Sequence, residues 1–371
     1  MSNHLSASEI DMKSFDEVFE DRTKYGTKIK TDEYHISGAY PIIDQGQEQI
    51  AGYTDREEGL FQEIPALIFG DHTRVVKYVD EPFFLGADGV KVLRCRLPDA
   101  NYRYLYYALR NAKVPDTGYN RHFKWLKVIP FSCPDPVTQE RVVRILDKIT
   151  EITEARNKEL ALLDELVKAR FVEMFGDLKV NPYDFEKKLL KETCTVITGN
   201  TPSRSVPEYY GNSIEWIKTD NIVAGQLNPS QASECLSDEG MKVGRVVDEG
   251  SILMACIAGS VASIGRVCIT DRKVAFNQQI NAVIPKEYDS LFLYVMLQLS
   301  KEYLIEEINM ALKGILSKSK LENKTFIVPP MDQQKCFAAF AAQIDKSKSA
   351  IQKSLAKTQT LFDSLMQEYF G

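Results

Sequence analysis

Residues 139–176 and 334–371 align without a gap at an offset of 195. Ten of the 38 positions are identical: Gln139 meets Gln334, Ile149 meets Ile344, Ala155 meets Ala350, Lys158 meets Lys353 and Leu160 meets Leu355. Ala161, Leu166, Glu173, Phe175 and Gly176 likewise meet Ala356, Leu361, Glu368, Phe370 and Gly371. Unrelated segments of ordinary composition would share about two or three. A period of half of a 371-residue chain is a tandem duplication, not a solenoid. Any fold for this chain must therefore be built from two related halves.

Both repeated segments are predicted helices. In the second, apolar side chains recur at Phe337, Phe340, Ile344, Ile351, Leu355, Phe362, Leu365 and Tyr369, a stripe along one helix face. Val142, Ile145, Ile149, Ile152, Leu160, Leu163 and Val167 follow a similar rhythm in the first. Neither segment has Gly or Pro before its final Phe-Gly, and each follows a proline cluster, "PFSCPDPVTQ" or "IVPPMDQQ". Proline can start a helix but not continue one, and Gly176 is placed as a C-cap. The stripes are not clean heptads, since Arg156 aligns with Ile351 and Leu163 with Thr358. A helix of about 33 residues is about 50 Å long, more than a small domain needs. Two spacer helices packed on each other are therefore expected, the alternative being one amphipathic helix on each domain.

The blocks ahead of these helices, 1–137 and 177–333, carry short strand-like runs broken by Gly, Asn and Asp. They are "YPIID", "PALIFGD", "TRVVKYV" and "GVKVLRCRL" in the first, and "IEWIK", "GSILMACI", "GRVCIT" and "NAVIP" in the second. Each block closes on a helical stretch, "YRYLYYALRNA" or "SLFLYVMLQLSKEYLIEEINMAL". Strands, helix, proline cluster and long helix thus occur in that order twice, which predicts an α+β fold. Two copies of globule then rod form a pseudo-dimer if the rods pair antiparallel. Such a molecule suits a target with two half-sites, and a 50 Å rod limits their separation to about 15 base pairs.

A net charge of −6 argues against a non-specific nucleic-acid binder, which carries a basic footprint. Seven Cys with no C-x-x-C pair fit free thiols, not a disulfide framework or a zinc site. "MSNHLSASEIDMK" has no apolar core of a signal peptide, and the longest apolar run, "SILMACIAG", is too short to span a bilayer. A cytoplasmic protein with no membrane partner and no metal site is expected.

The first block contains "GAYPIIDQGQEQIAGY", "IFGDHTRVVKY" and "GADGVKVL"; the second contains "VITGNTPSRSVPEYYGNSIEWIKTDNI" and "NQQINAVIP". With "PDPVTQE" and "VPPMDQQ" before the long helices, these strings in this order resemble the specificity subunit of type I restriction–modification systems, over essentially the whole chain. The resemblance implies two mixed α/β target-recognition domains, residues 1–137 and 177–333, separated by two long antiparallel helices, 138–176 and 334–371. It implies that each domain reads one half of a split double-stranded DNA target. The helices would set the half-site separation and hold methyltransferase subunits and, through them, restriction subunits. It also implies a non-catalytic chain without cofactors, S-adenosylmethionine, ATP and Mg²⁺ being bound by the partners.

For DNA contact, "GYNRHFKWLK" (118–127) pairs with "GILSKSKLENK" (314–324). Aligned on Gly118 and Gly314, His122 meets Lys318 and Lys124 meets Lys320, basic groups suited to phosphate. Lys313 precedes the second string. Asn120 and Arg121 match the edges of adenine and guanine, while Tyr119, Phe123 and Trp125 interleave as packing or stacking groups. The alternative is a solvated loop. Ser203 and Arg204 stand in a Pro-bounded loop, and Lys218 and Asn221 lie in "WIKTDN", which reads equally as a strand running into an Asx-turn. Gln278 and Gln279 read adenine or cap a strand end, and His72 and Arg74 in "DHTR" share that ambiguity.

The rival readings are weaker. "NPYD" (181–184) has one proline where an amino-methyltransferase tetrad has two, and no P-loop occurs. Four His support a Ser-His-acid triad poorly, and "GSVASIG" is not a hydrolase elbow. A coiled-coil protein scaffold without direct DNA readout shares the duplicated rod, and salt dependence of DNA binding separates it from a DNA reader.

Overall fold

The computed structural model describes residues 11–86, 88–257, 263–306 and 315–371. The chain forms two compact units, one of Met1–Arg156 with Ser354–Gly371 and one of Asn157–Lys353. The division falls inside both long helices.

The first unit contains β1 (Met12–Lys13), α1 (Phe15–Val18), β2 (Phe19–Asp21), β3 (Tyr40–Ile43), β4 (Gly52–Thr54), β5 (Ala66–Gly70), β6 (Val76–Val79), β7 (Phe84–Leu85) and β8 (Val90–Cys95). Then come α2 (Tyr102–Asn111), α3 (Phe123–Leu126), β9 (Phe131–Ser132) and the start of α4 (Pro136–Phe175). The second unit contains β10 (Lys187–Leu189), α5 (Leu190–Thr193), β11 (Cys194–Thr198), β12 (Tyr210–Gly211), β13 (Ile214–Ile217), β14 (Cys235–Leu236), α6 (Asp238–Val243) and β15 (Val246–Val247). It continues with β16 (Ile252–Ala255), β17 (Val267–Ile269), β18 (Val274–Phe276), β19 (Ile280–Pro285), α7 (Ser290–Leu299), α8 (Lys301–Ile305), α9 (Lys318–Glu322), β20 (Thr325–Ile327) and the start of α10 (Met331–Phe370).

The duplication extends through both units. A four-stranded antiparallel sheet has the order β2-β8-β5-β6 in the first and β11-β19-β16-β17 in the second. A second sheet is built on a parallel pair, β3 with β7 or β13 with β18. A short antiparallel pair, β1 with β9 or β10 with β20, ties the start of each globule to the segment before its long helix. The central strands "ALIFG" and "ILMA" are buried along their whole length, so they read as continuous apolar runs and not as alternation. Tyr104, Leu105, Tyr107, Ala108 and Leu109 of α2 pack with Leu67, Phe69 and Leu93 of the first sheet, and Phe292, Leu293, Val295 and Met296 of α7 pack with Ile252, Met254 and Val283 of the second. Both helices start at an Asx cap: Asn101 Oδ1 accepts from the N–H groups of Arg103 and Tyr104, and Asp289 Oδ1 from those of Leu291 and Phe292.

Each 40-residue long helix begins in one unit and ends in the core of the other. Val142, Val143 and Leu146 of α4 share a core with Phe362, Leu365 and Met366 of α10 in the first unit, and Phe171 and Phe175 pack with Phe337 in the second. In the second unit Phe171 meets Phe337 and Asp164 pairs with Lys348 at 2.5 Å, so the two segments run antiparallel there. Gly176 closes α4 at φ +75°, its N–H bonding Val172 O at 2.8 Å.

The buried face of the long helices differs in part from the apolar stripe read from the sequence. Half-buried positions follow one another at Thr153, Arg156, Leu160, Leu163, Val167 and Arg170 with gaps of three and four, whereas on α10 Ile344, Lys348, Ile351, Leu355, Thr358, Phe362, Leu365 and Tyr369 keep that spacing but Asp345, Ser349, Ser354, Met366 and Phe370 beside them are also buried or half-buried. The middle of α4 thus follows a heptad seam, while α10 buries a wider stripe than a single seam. Polar Arg156, Lys348 and Thr358 occupy seam positions, so hydrophobicity alone hides the period. Of the helical stretch after residue 290, α7 and α8 account for the start, and residues 307–314 lie outside the described set.

Candidate nucleic-acid interface

In the first unit, strand geometry brings four loops to one edge. β3 and β7 are parallel with Ile43 beside Leu85, so both deliver their C-terminal ends to the same side. β5 and β8 are antiparallel with Gly70 opposite Val90, so the end of one meets the start of the other. Gln45, just after β3, joins these loops: its Oε1 accepts from His72 N–H at 3.0 Å, its Nε2 donates to Asp88 O at 2.9 Å, and its own carbonyl accepts from Thr73 Oγ1 at 2.6 Å. Gly89, at φ +93°, packs on this side chain; a Cβ there would sit 2.5 Å from Gln45 Nε2. Buried Asp71 anchors the fourth loop through its carbonyl, which accepts from His122 N–H at 2.7 Å, and its carboxylate, which accepts from Phe123 N–H at 2.8 Å.

These contacts display Tyr119, 88 % exposed, stacked face to face on the His72 ring at 4.9 Å and 10°. His72 Nδ1 lies 3.2 Å from Asn120 O; a carbonyl only accepts, so Nδ1 carries the proton. His72, Asn120 and Arg121 thus come together, whereas His122 does not join them. Its ring is 1 % exposed and faces Asp71 O and Thr117 Oγ1, so phosphate contact by His122 is replaced by a structural role. Arg74 turns to Asp116 at 2.7 Å, whose carboxyl is held below the usual range by the Gly118 N–H and then by Arg74. Among the described residues Arg121 and Lys124 have no salt bridge; Lys124 Nζ lies 5.3 Å from the Trp125 ring centre.

In the second unit, Arg204 and Lys218 converge on one carboxylate, Glu234, which sequence reasoning missed. Arg204 pairs with it at 2.6 Å and lies 4.4 Å over Tyr210, while Lys218 Nζ donates to its other oxygen and lies 5.1 Å from the buried Trp216 ring. The Lys218 hydrogen bond, then that of Arg204, holds the Glu234 carboxyl below the usual range. Trp216 Nε1 donates to Asn200 O at 3.3 Å, and Thr201 Oγ1 donates to Gln278 Oε1. Ser203 Oγ meets Ser205 Oγ at 2.7 Å on the same loop. Asn221 does not face solvent: it is buried, accepts from the N–H of Lys218 three residues earlier and donates to Ser230 Oγ and Gln231 O, so the strand does run into a turn, one closed by this backward bond and not by an Asx-turn, and base contact by Asn221 is withdrawn.

Gln279 and the turn before α9 meet at Cys256, whose N–H donates to Gln279 O at 2.8 Å and whose carbonyl accepts from Leu316 N–H at 3.0 Å. Asp71 makes the same two connections in the first unit, to Gly89 O and from His122 N–H. Lys318 pairs with Glu322 at 3.5 Å, Lys320 is exposed on α9, and Lys313 lies outside the described residues. His122 and Ser317 are the N-cap residues of α3 and α9, and Leu126 and Leu321 are fully buried on them. The offset is thus again 195, one less than the string alignment assumed, and His122 corresponds to Ser317 instead of Lys318. Asp71, Glu234 and Trp216 are the site residues the sequence reading passed over, whereas Gln45 carried a local signal in its Gly-containing "DQGQ" loop.

Among the described residues no group of three or more His, Cys, Asp and Glu could hold a metal, and no helix is long and apolar enough to cross a membrane. The two clusters offer donors, acceptors, cations and ring faces, the groups used for phosphate, base-edge and stacking contacts.

The family described as "Type I restriction modification DNA specificity domain" matches residues 7–163 and 182–359. The chain is 28% identical over 310 residues to the type I restriction enzyme EcoR124I/EcoR124II specificity subunit of Escherichia coli, covering 76% of this chain and 73% of that one. It is 31% identical over 161 residues to the HindI specificity subunit of Haemophilus influenzae, covering 41% and 34%. The fold is similar to the crystal structure of a type I restriction–modification S subunit from M. genitalium, with TM-score 0.65, 14% identity and 99% and 98% of the two chains covered. A structure described as bearing on complex assembly and conformational transition of the type I system gives TM-score 0.55 at 16% identity over 98% of both chains. Two matches to one domain family, in two units with the same strand order, make this chain a member of the type I restriction–modification specificity-subunit family.

Proposed function

We propose that this chain is the DNA-reading subunit of a type I complex, in which residues 1–137 and 177–333 each read one half of a split target. The observation that carries the proposal is the repeated strand order, with a polar and aromatic loop cluster on each unit. Different loop residues on equivalent sheets fit two different half-site sequences. Residues 138–176 and 334–371 would set the half-site separation and dock methyltransferase subunits, which in turn bring restriction subunits. The chain itself would do no chemistry; S-adenosylmethionine, ATP and Mg²⁺ would be held by the partners, in the cytoplasm. Co-expression with the methyltransferase subunit encoded alongside, followed by mapping of methylated adenines, tests this. The expected result is a bipartite motif modified in both halves, with only one half changing when residues 1–137 are exchanged for those of a relative. A complex that forms but methylates nothing would refute it.

The ion pairs of Arg74, Arg204 and Lys218 favour a second reading, a protein scaffold, because their charges are already matched. DNA binding by the assembled complex that weakens steeply with salt excludes it.

A further inference from the structure

Gln139 and Gln334, the first identity of the repeat, are buried polar side chains at the root of α4 and α10, 7 % and 1 % exposed. Gln139 Nε2 donates to Pro134 O at 2.8 Å and its Oε1 accepts from Asn101 N–H at 3.3 Å. Gln334 Nε2 donates to Pro329 O at 2.8 Å and to Glu287 O at 3.2 Å, and its Oε1 accepts from Asp289 N–H at 3.0 Å. Asn101 and Asp289 are the N-cap residues of α2 and α7. In each unit one glutamine therefore clamps the first turn of the long helix to the proline before it and to the cap of the helix beneath it.

Two directional bonds to two separate backbone sites restrict both slide and rotation of a helix, where apolar packing tolerates both. A slip of one residue rotates a helix by about 100° and would break both bonds at once. Fully satisfied buried networks select one packing in this way, as polar residues do in coiled-coil seams. The lever is long: a helix of 40 residues is about 60 Å. A tilt of 5° at its root moves its far end by about 5 Å, more than the roughly 3.4 Å of one base pair.

We propose that Gln139 and Gln334 are positioning residues that fix the angle of each long helix on its own globule, and so determine the half-site spacing the complex accepts. This rests on the split-target reading above. The test uses the chain assembled with its methyltransferase subunit and duplexes carrying both half-sites at the native spacing and at one or two base pairs more or less. Gln139→Met and Gln334→Met keep volume and remove the bonds. Each is expected to lower the preference for native over altered spacing about tenfold, with methylation at the native spacing changed less than about twofold; tenfold corresponds to about 1.4 kcal/mol, the scale of one buried hydrogen bond. Gln139→Glu, which keeps the acceptor for Asn101 N–H and loses the donor, should fall between. Unchanged preference in assembled Met variants overturns the proposal, whereas a wild-type complex that methylates no split site overturns the split-target reading instead. If the Met variants fail to assemble, amide exchange of the wild-type complex decides: Asn101 and Asp289 N–H should exchange as slowly as the α2 and α7 interiors, and rapid exchange at either removes the clamp.

Discussion

The two Phe-Gly endings are predicted to differ in energetic weight. Phe175 is fully buried, its ring centre 4.9 Å from that of Phe292, 5.0 Å from Phe171, 5.7 Å from Phe337 and 6.1 Å from Phe185. Its repeat partner Phe370 is only partly buried and packs on Tyr104 at 5.0 Å. Removing a fully buried Phe ring costs about 3–5 kcal/mol, with little room for four surrounding aromatic rings to close the cavity. Removing a partly buried one costs about 1–2 kcal/mol, in proportion to the area lost. The chain carries a reporter in each unit, Trp125 in the first and Trp216 in the second. In a Trp125→Phe background, urea unfolding followed by Trp216 fluorescence should show Phe175→Ala lowering the midpoint by about 1–2 M at a slope of about 3 kcal/mol per M. In a Trp216→Phe background, Phe370→Ala should lower the Trp125 midpoint by about 0.5 M. Equal shifts for the two substitutions, or less than about 0.5 M for Phe175→Ala, would refute the reasoning that the end of α4 is anchored by the aromatic cluster.

Glu234→Gln releases Arg204 and Lys218, so DNA binding by the assembled complex should tighten and its log–log salt slope steepen by about one to two; an unchanged slope shows that neither cation reaches phosphate. Arg121→Ala should reduce that slope by about 0.9 if Arg121 contacts one phosphate, with the loss the same on all sequences, and a sequence-dependent loss would mark base contact instead. Burial pushes the thiols of Cys133 and Cys194 up to about 11 and those of Cys256 and Cys268 up to about 12. Native labelling at pH 8 should therefore modify exposed Cys336 first and half-buried Cys235 next, as peptide mass mapping would read. Hydrogen bonds from Arg272 at 2.8 and 2.9 Å hold the Glu215 carboxyl below its ordinary 4.5. A lowered folded value stabilises above the unfolded value and is lost as pH falls through the folded one. Glu215→Gln should thus be less stable by about 1–2 kcal/mol at pH 7, with the gap closing below pH 4.5 in Trp216-detected unfolding; a gap independent of pH would mean that the charge is not what stabilises.

What the sequence reveals depends on how far each signal is spread along the chain. The long helices were readable because about ten turns repeat one pattern without Gly or Pro, β5 and β19 because each holds three or more apolar residues in a row, and β8 and β13 because apolar residues flank single charged ones. The pairs β1 with β9 and β10 with β20 were not, since two or three residues carry no period. Their pairing is long-range, made only once the globule closes. The same limit applies to the site. His72, Asn120 and Arg121 could be named from chemistry, but Gln45 and Asp71, which hold their loops together, act on partners 27 to 52 residues away. Glu234 stood unmarked among 52 acidic residues, distinguished only by the two cations that fold onto it. Chemistry also misassigns when burial intervenes: His122 and Asn221 have the right groups for DNA, yet the fold spends those groups on Asp71, Thr117, Lys218, Ser230 and Gln231.

Duplication explains where identity survives. Equivalent sheets tolerate different apolar side chains of similar volume, so β5 and β16 share burial and strand position with little identity. Surface loops are free to diverge, and two half-sites of different sequence would require it. The clamp glutamine has no such latitude, because only a side chain with both an amide donor and an acceptor at that reach can bond the Pro134 carbonyl and the Asn101 N–H together. Of the ten identities, Gln139 with Gln334 stands at the roots of the long helices and Phe175-Gly176 with Phe370-Gly371 at their ends, while Ala155, Lys158, Leu160 and Ala161 recur mid-helix. Under the split-target reading proposed above, the loops of the two units would have to differ, while the clamp at each helix root would not.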